Sequence, residues 1–142
     1  KGPHRVELQV QLPRGSEVEK IEIELAPLDM MPHSVHTFLE QVHQGAWDGA
    51  AFDAHAGHVL MAHSSSDDGQ TSPTSTPPKA SPPTVLFPEF NGHYPHDKYT
   101  IAFPGMASSS PDFYINLQPN TLHHSPRMEG ENFIEGEPCF GR

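Results

Sequence analysis

The chain has 142 residues, 35% of them hydrophobic, a formal charge of -10 with histidines neutral, and 16 prolines. That length suits one domain with a real core, but the mean hydropathy of -0.55 implies that part of the chain lies outside it. Eight scattered basic residues argue against a nucleic-acid partner, because phosphate binding needs clustered Lys and Arg, and no apolar run approaches the ~20 residues of a membrane span.

Val6, Leu8, Val10 and Leu12 alternate with polar residues, as do Ile21, Ile23 and Leu25, with the turn Pro13-Arg14-Gly15-Ser16 between them. Two period-two runs around a short turn predict an antiparallel hairpin with one wet face. From Pro32 to Gln44 the spacing changes: Val35, Phe38, Leu39 and Val42 fall at i, i+3, i+4 and i+7. This predicts a helix whose stripe faces the sheet, opened by Pro32 and stopped by Gly45, with His33, His36 and His43 turned to water. Trp47 to Phe52 and Gly57 to Met61 read as two further strands.

Residues 64–84 are dense in Ser, Thr and Pro and carry no large apolar side chain before Val85. Such a stretch cannot offset its ordering entropy by burial and is expected as an inserted surface loop. Its composition would suit O-glycosylation in a secreted chain, a weak pointer to the secretory pathway, although a plain solvated loop is the better reading. Strands are then predicted at Val85-Leu86-Phe87, Tyr99 to Phe103, Phe113 to Leu117, Phe133-Ile134 and Pro138 to Gly141. Many short strands with one clear helix predict a mainly β domain, an antiparallel barrel with a helical cap. The single cysteine, Cys139, excludes an intrachain disulfide and is expected to be a buried, inert thiol. The chain begins at Lys1, so the lack of a signal peptide says little about a parent protein.

Several ordered fragments resemble the cyclophilin-type peptidyl-prolyl isomerases. They are Ile21-Glu22-Ile23-Glu24-Leu25-Ala26-Pro27, Pro32 to Leu39, Gly45-Ala46-Trp47-Asp48-Gly49-Ala50-Ala51-Phe52, His96 to Phe103, Asp112-Phe113-Tyr114-Ile115 and Phe140-Gly141. The resemblance implies an eight-stranded antiparallel barrel capped by two helices. The chain stops before the second helix and last strand would come, so either a parent continues or a partner completes the barrel.

The resemblance also implies a site. Turning an X-Pro bond crosses a barrier of ~18–20 kcal/mol, and a cyclophilin lowers it with an apolar pocket and an arginine that donates to the prolyl nitrogen. That arginine ends a Phe-His-Arg motif, whereas this chain reads Phe52-Asp53-Ala54. The Phe-Met pair and the glutamine beyond it match His58, Val59 and Met61. Gln-Phe-Phe becomes Asp112-Phe113-Tyr114, the tryptophan of the groove matches Phe133, and the histidine before the final strand is replaced near Pro138. Ala54, Met61 and Asp112 are thus degenerate catalytic positions, with His58, Val59, Tyr114 and Phe133 lining the groove. The expectation is a noncatalytic binding or structural module that takes a protein partner or belongs to an assembly, with no cofactor. An active prolyl isomerase is the alternative, with His55 or His58 supplying a single donor in place of the multi-donor fork of arginine. The 11 histidines raise two further ideas, a pH response and a metal site at one of three separate groups: His33 with His36, His55 with His58 and His63, or His123 with His124. No Cys or HExxH-type pattern supports a metal, and solvated histidines are the expected reading.

Overall fold

A computed structural model of the chain describes residues 3–15, 17–63, 82–105 and 111–142, without the side chains of 53–55. The expected loop at 64–84 lies outside the described residues as far as residue 81, as does 107–110.

The two alternating runs form β1 (Arg5–Gln11) and β2 (Val18–Glu24), paired antiparallel with Val6 opposite Ile23 and Leu8 opposite Ile21. Val6 and Ile23 are buried; the other face carries the ion pair Lys20–Glu7 at 3.0 Å. Next comes α1 (Pro32–His43), with Pro32 in its first turn. Its leading N–H groups are satisfied from a distance: His33 and Ser34 donate to the Glu89 carboxylate at 3.2 and 2.8 Å. An anion at that end also suits the helix dipole. Gly45 ends the helix in the left-handed region at φ 65°.

The buried helix positions are Ser34, Val35, Phe38 and Gln41. Leu39 and Val42 are only partly buried, so the inward stripe is rotated from the expected one. Gln41 can turn inward because its amide donates to the Pro83 carbonyl at 2.6 Å. Phe38 is the hub of the core, with its ring centroid 5.0 Å from Trp47, 5.5 Å from Phe113 and 5.0 Å from Phe140.

The remaining strands are β3 (Ala51–His55), β4 (Val59–His63), β5 (Ile101–Ala102), β6 (Phe113–Asn116), β7 (Arg127–Glu129), β8 (Asn132–Ile134) and β9 (Cys139–Gly141), with a single-turn helix α2 (Thr121–His124) after β6. β3 and β4 start later than expected, because Trp47 to Gly49 form a turn and Gly57, at φ 75°, makes the bend between the strands. Val85-Leu86-Phe87 is not a strand; the segment is a bend leading to Glu89, and Leu86 is 83% exposed. β7 was not anticipated and pairs with β8 in a separate hairpin.

The main sheet runs β3-β4-β6-β5-β9, all neighbours antiparallel. It continues into the first hairpin through the bridge Leu25–Gly141 and the reciprocal backbone bonds between Glu24 and Arg142 at 2.8 and 2.9 Å. A Cβ on Gly141 would meet Ile101 at 2.9 Å and the Glu24 carbonyl at 3.2 Å, so glycine lets β9 lie between its neighbours. The result is a mainly β fold of antiparallel sheets, consistent with the expected barrel. Residues of β1 and β3 line a cleft of about 840 Å³, Val6, Leu8, Trp47 and Phe52 among them.

Candidate groove face

Strand alternation divides the main sheet between two faces. Ala62, Ile101, Phe113, Ile115 and Phe140 enter the core around Phe38. Their neighbours Val59, Met61, Ala102, Tyr114 and Cys139 cluster on the opposite face, with Tyr94 beside them. Register puts one residue of each strand in a row there: Ala54 opposite Met61, Met61 opposite Tyr114, Tyr114 opposite Ala102, and Ala102 opposite Cys139. One rung along, His63 Nδ1 donates to the Asp112 carboxylate at 2.9 Å. The sheet therefore brings Met61, Val59, Tyr114 and Asp112 together, with Ala54 on their row through its backbone pairing; its side chain lies outside the described residues.

Above Tyr114 sits a polar cluster that the sequence did not announce. Tyr114 is 2% exposed, and its hydroxyl donates to Glu137 Oε2. His124 Nδ1 meets the same carboxylate at 2.6 Å. His96, fully buried, donates from Nε2 to the Glu137 carbonyl at 3.0 Å. The centroid of the His124 ring is 5.4 Å from those of both His96 and Tyr114, and 5.6 Å from that of His58. Asn120, 2% exposed at the start of α2, locks this arrangement. Its side-chain amide donates to the His58 carbonyl at 3.1 Å and to Asn116 Oδ1 at 2.7 Å.

These contacts set the protonation of the cluster. Burial alone would raise the Glu137 carboxyl, but the hydrogen bonds from His124 and Tyr114 outweigh it and hold the group below its ordinary value. Burial, helped by the Glu137 charge, raises the Tyr114 phenol and keeps it protonated as a donor. Burial also lowers His96, with the nearby His124 acting in the same direction. Cys139, desolvated under β5, is raised to about 11, as befits an inert thiol.

Of the residues expected to line the groove, Phe133 stands apart. It lies on β8 opposite Met128, in a sheet separate from that of Tyr114 and Val59, and is 63% exposed. Near Pro138, where the resemblance puts a histidine, the side chain that reaches the groove face is Glu137. Most described cations are engaged elsewhere: Arg5 and Arg142 with Glu24, Lys20 with Glu7, Arg127 with Glu129, and Lys98 over the Tyr99 ring. His33, His36 and His43 on α1 face water as expected.

The model of the family described as "Cyclophilin type peptidyl-prolyl cis-trans isomerase/CLD" matches residues 9–142. The chain belongs to the cyclophilin-type isomerase family. No curated protein matches the sequence. In this cyclophilin domain, no group of three or more His, Cys, Asp or Glu side chains among the described residues is arranged to hold a metal ion. Among the same residues no helix is long and apolar enough to cross a membrane.

Proposed function

We propose that this cyclophilin-type domain is a noncatalytic binding or structural module that holds a protein partner or supports an assembly. One observation carries the reading: the polar hydrogens nearest the Met61–Tyr114 row are already committed. The Tyr114 proton and the His124 Nδ1 proton both go to Glu137, so neither is free for a prolyl nitrogen losing amide resonance. Residue 54, where the resemblance puts the donating arginine, is alanine. Losing one preorganised transition-state donor costs ~10²–10³ in rate, and a satisfied, buried hydroxyl does not replace a multi-donor guanidinium. What remains beside the cluster is the half-buried pair Met61 and Tyr94 packed over Val59, which can pack against a partner without chemistry.

Calorimetry with cyclosporin and with a free X-Pro peptide tests this reading, since both ligands depend on donors of the active groove. No measurable heat is expected from either. Binding at micromolar strength or tighter would show that working donors survive and would overturn it.

A further inference from the structure

His58 and His124 come from separate elements, the turn between β3 and β4 and the end of α2, yet their ring centroids are 5.6 Å apart at an interplanar angle of 38°. Each ring has one nitrogen fixed by an oxygen that only accepts. His58 Nδ1 is 2.8 Å from the Ala56 carbonyl and His124 Nδ1 is 2.6 Å from the Glu137 carboxylate. Both protons are therefore assigned to Nδ1, which leaves both Nε2 atoms as lone-pair donors in the neutral rings. His124 Nε2 is buried without a hydrogen-bond partner. A neutral imidazole anchored through Nδ1–H to a carboxylate or backbone carbonyl, with Nε2 presented, is the support that metal-ligating histidines almost always have.

We propose that His58 and His124 form a two-imidazole site for a borderline divalent transition-metal ion, with Zn²⁺ as the reference ion. With a metal–nitrogen bond of about 2.0–2.1 Å, two imidazoles on one ion place their centroids about 5 Å apart at a tetrahedral angle and about 6.5 Å apart when linear. The observed 5.6 Å falls within that span. Glu137 orients His124, and Asn120 ties His58's backbone to α2. No third His, Cys, Asp or Glu joins them among the described residues. The proposal rests on this geometry and not on the noncatalytic reading.

The test is titration of the whole chain with Zn²⁺ by calorimetry near neutral pH, together with long-range ¹H–¹⁵N spectra of the histidine rings. One equivalent should bind at micromolar strength or tighter. The Nε2 signals of His58 and His124 should move while their Nδ1 protons remain. His58→Ala, at a half-buried turn position, and His124→Ala should each weaken binding by at least about 10–100-fold, the cost of losing even an outer-shell support. The exposed pair His33 and His36, both changed to Ala, should leave that site unaffected. Absence of binding, unchanged affinity in His58→Ala, or shifts confined to other histidines would overturn the proposal. The spectra decide the matter on the wild-type chain even if His124→Ala does not fold.

Discussion

Replacing Tyr114 with Phe tests the polar cluster at its centre. The ring is 2% exposed and packs with Val59, Ala102 and Cys139, so the substitution keeps its apolar contacts and removes one hydroxyl. That hydroxyl donates to a carboxylate which has a second donor in His124. A hydrogen bond to a charged group contributes about 1.5–3 kcal/mol, and the retained His124 contact holds the loss toward the lower part of that range. The assay is urea denaturation of both chains at pH 7 and again at pH 4. At pH 7 Tyr114→Phe should lower the midpoint without changing the slope. Glu137 sits below the ordinary carboxyl value of 4.5, so its contribution is present above that value and fades as pH falls through the folded-state pKa. Part of it comes from Tyr114, so the gap between the two chains should narrow in acid. A neutral or stabilising effect at pH 7 would refute the reasoning, because it would mean the hydroxyl's desolvation cancels its bond.

Phe38→Ala, at the fully buried hub of the core, should cost about 3–5 kcal/mol in chemical denaturation; a loss below about 1 kcal/mol would mean the helix does not anchor the sheet. His96 is lowered by burial, so the stability it contributes is full above about pH 6.5 and is lost as pH falls through its folded value. With chelator present, the melting temperature should therefore begin to drop below pH 6.5, and His96→Phe should remove that early step. Glu89→Ala leaves the first N–H groups of α1 without their acceptor and should cost about 0.5–2 kcal/mol, the scale of a lost helix cap, measurable by thermal melting.

How much could be read beforehand depended on whether a contact is local. The β1–β2 hairpin was legible because alternation over seven residues has one structural meaning. The ends of α1 were legible because Pro32 and Gly45 act on their own backbone. Gln41 was not: a polar side chain reads as outward until the Pro83 carbonyl arrives from elsewhere in the fold. The β7–β8 hairpin was half-missed because its facing residues, Met128 and Phe133, are both exposed and give no buried period. In the groove, resemblance alone brought Val59, Met61, Asp112 and Tyr114 into one reading, and the register places them on one face. It also drew in Phe133, which is exposed on a strand of another sheet. That His124 and His96 converge on Glu137 is not legible in the sequence, because they meet through the return of β9 and the docking of α2, with sequence separations of 13 and 41 residues to the shared Glu137. Nothing within a short window of sequence marks such a convergence, although the family-like fragment starting at His96 was a signal that could have been followed.

The most direct test of the noncatalytic account is a protease-coupled isomerisation assay on a proline tetrapeptide, run with the wild-type chain and with Ala54→Arg. With the donating arginine absent and the Tyr114 and His124 protons held by Glu137, the wild-type rate should lie at least about 10²–10³ below that of an active cyclophilin. Ala54→Arg alone should not restore it, because Met61 and Tyr114 still stand on its row of the sheet. Wild-type turnover comparable to an active cyclophilin, or full recovery from that single substitution, would contradict the account.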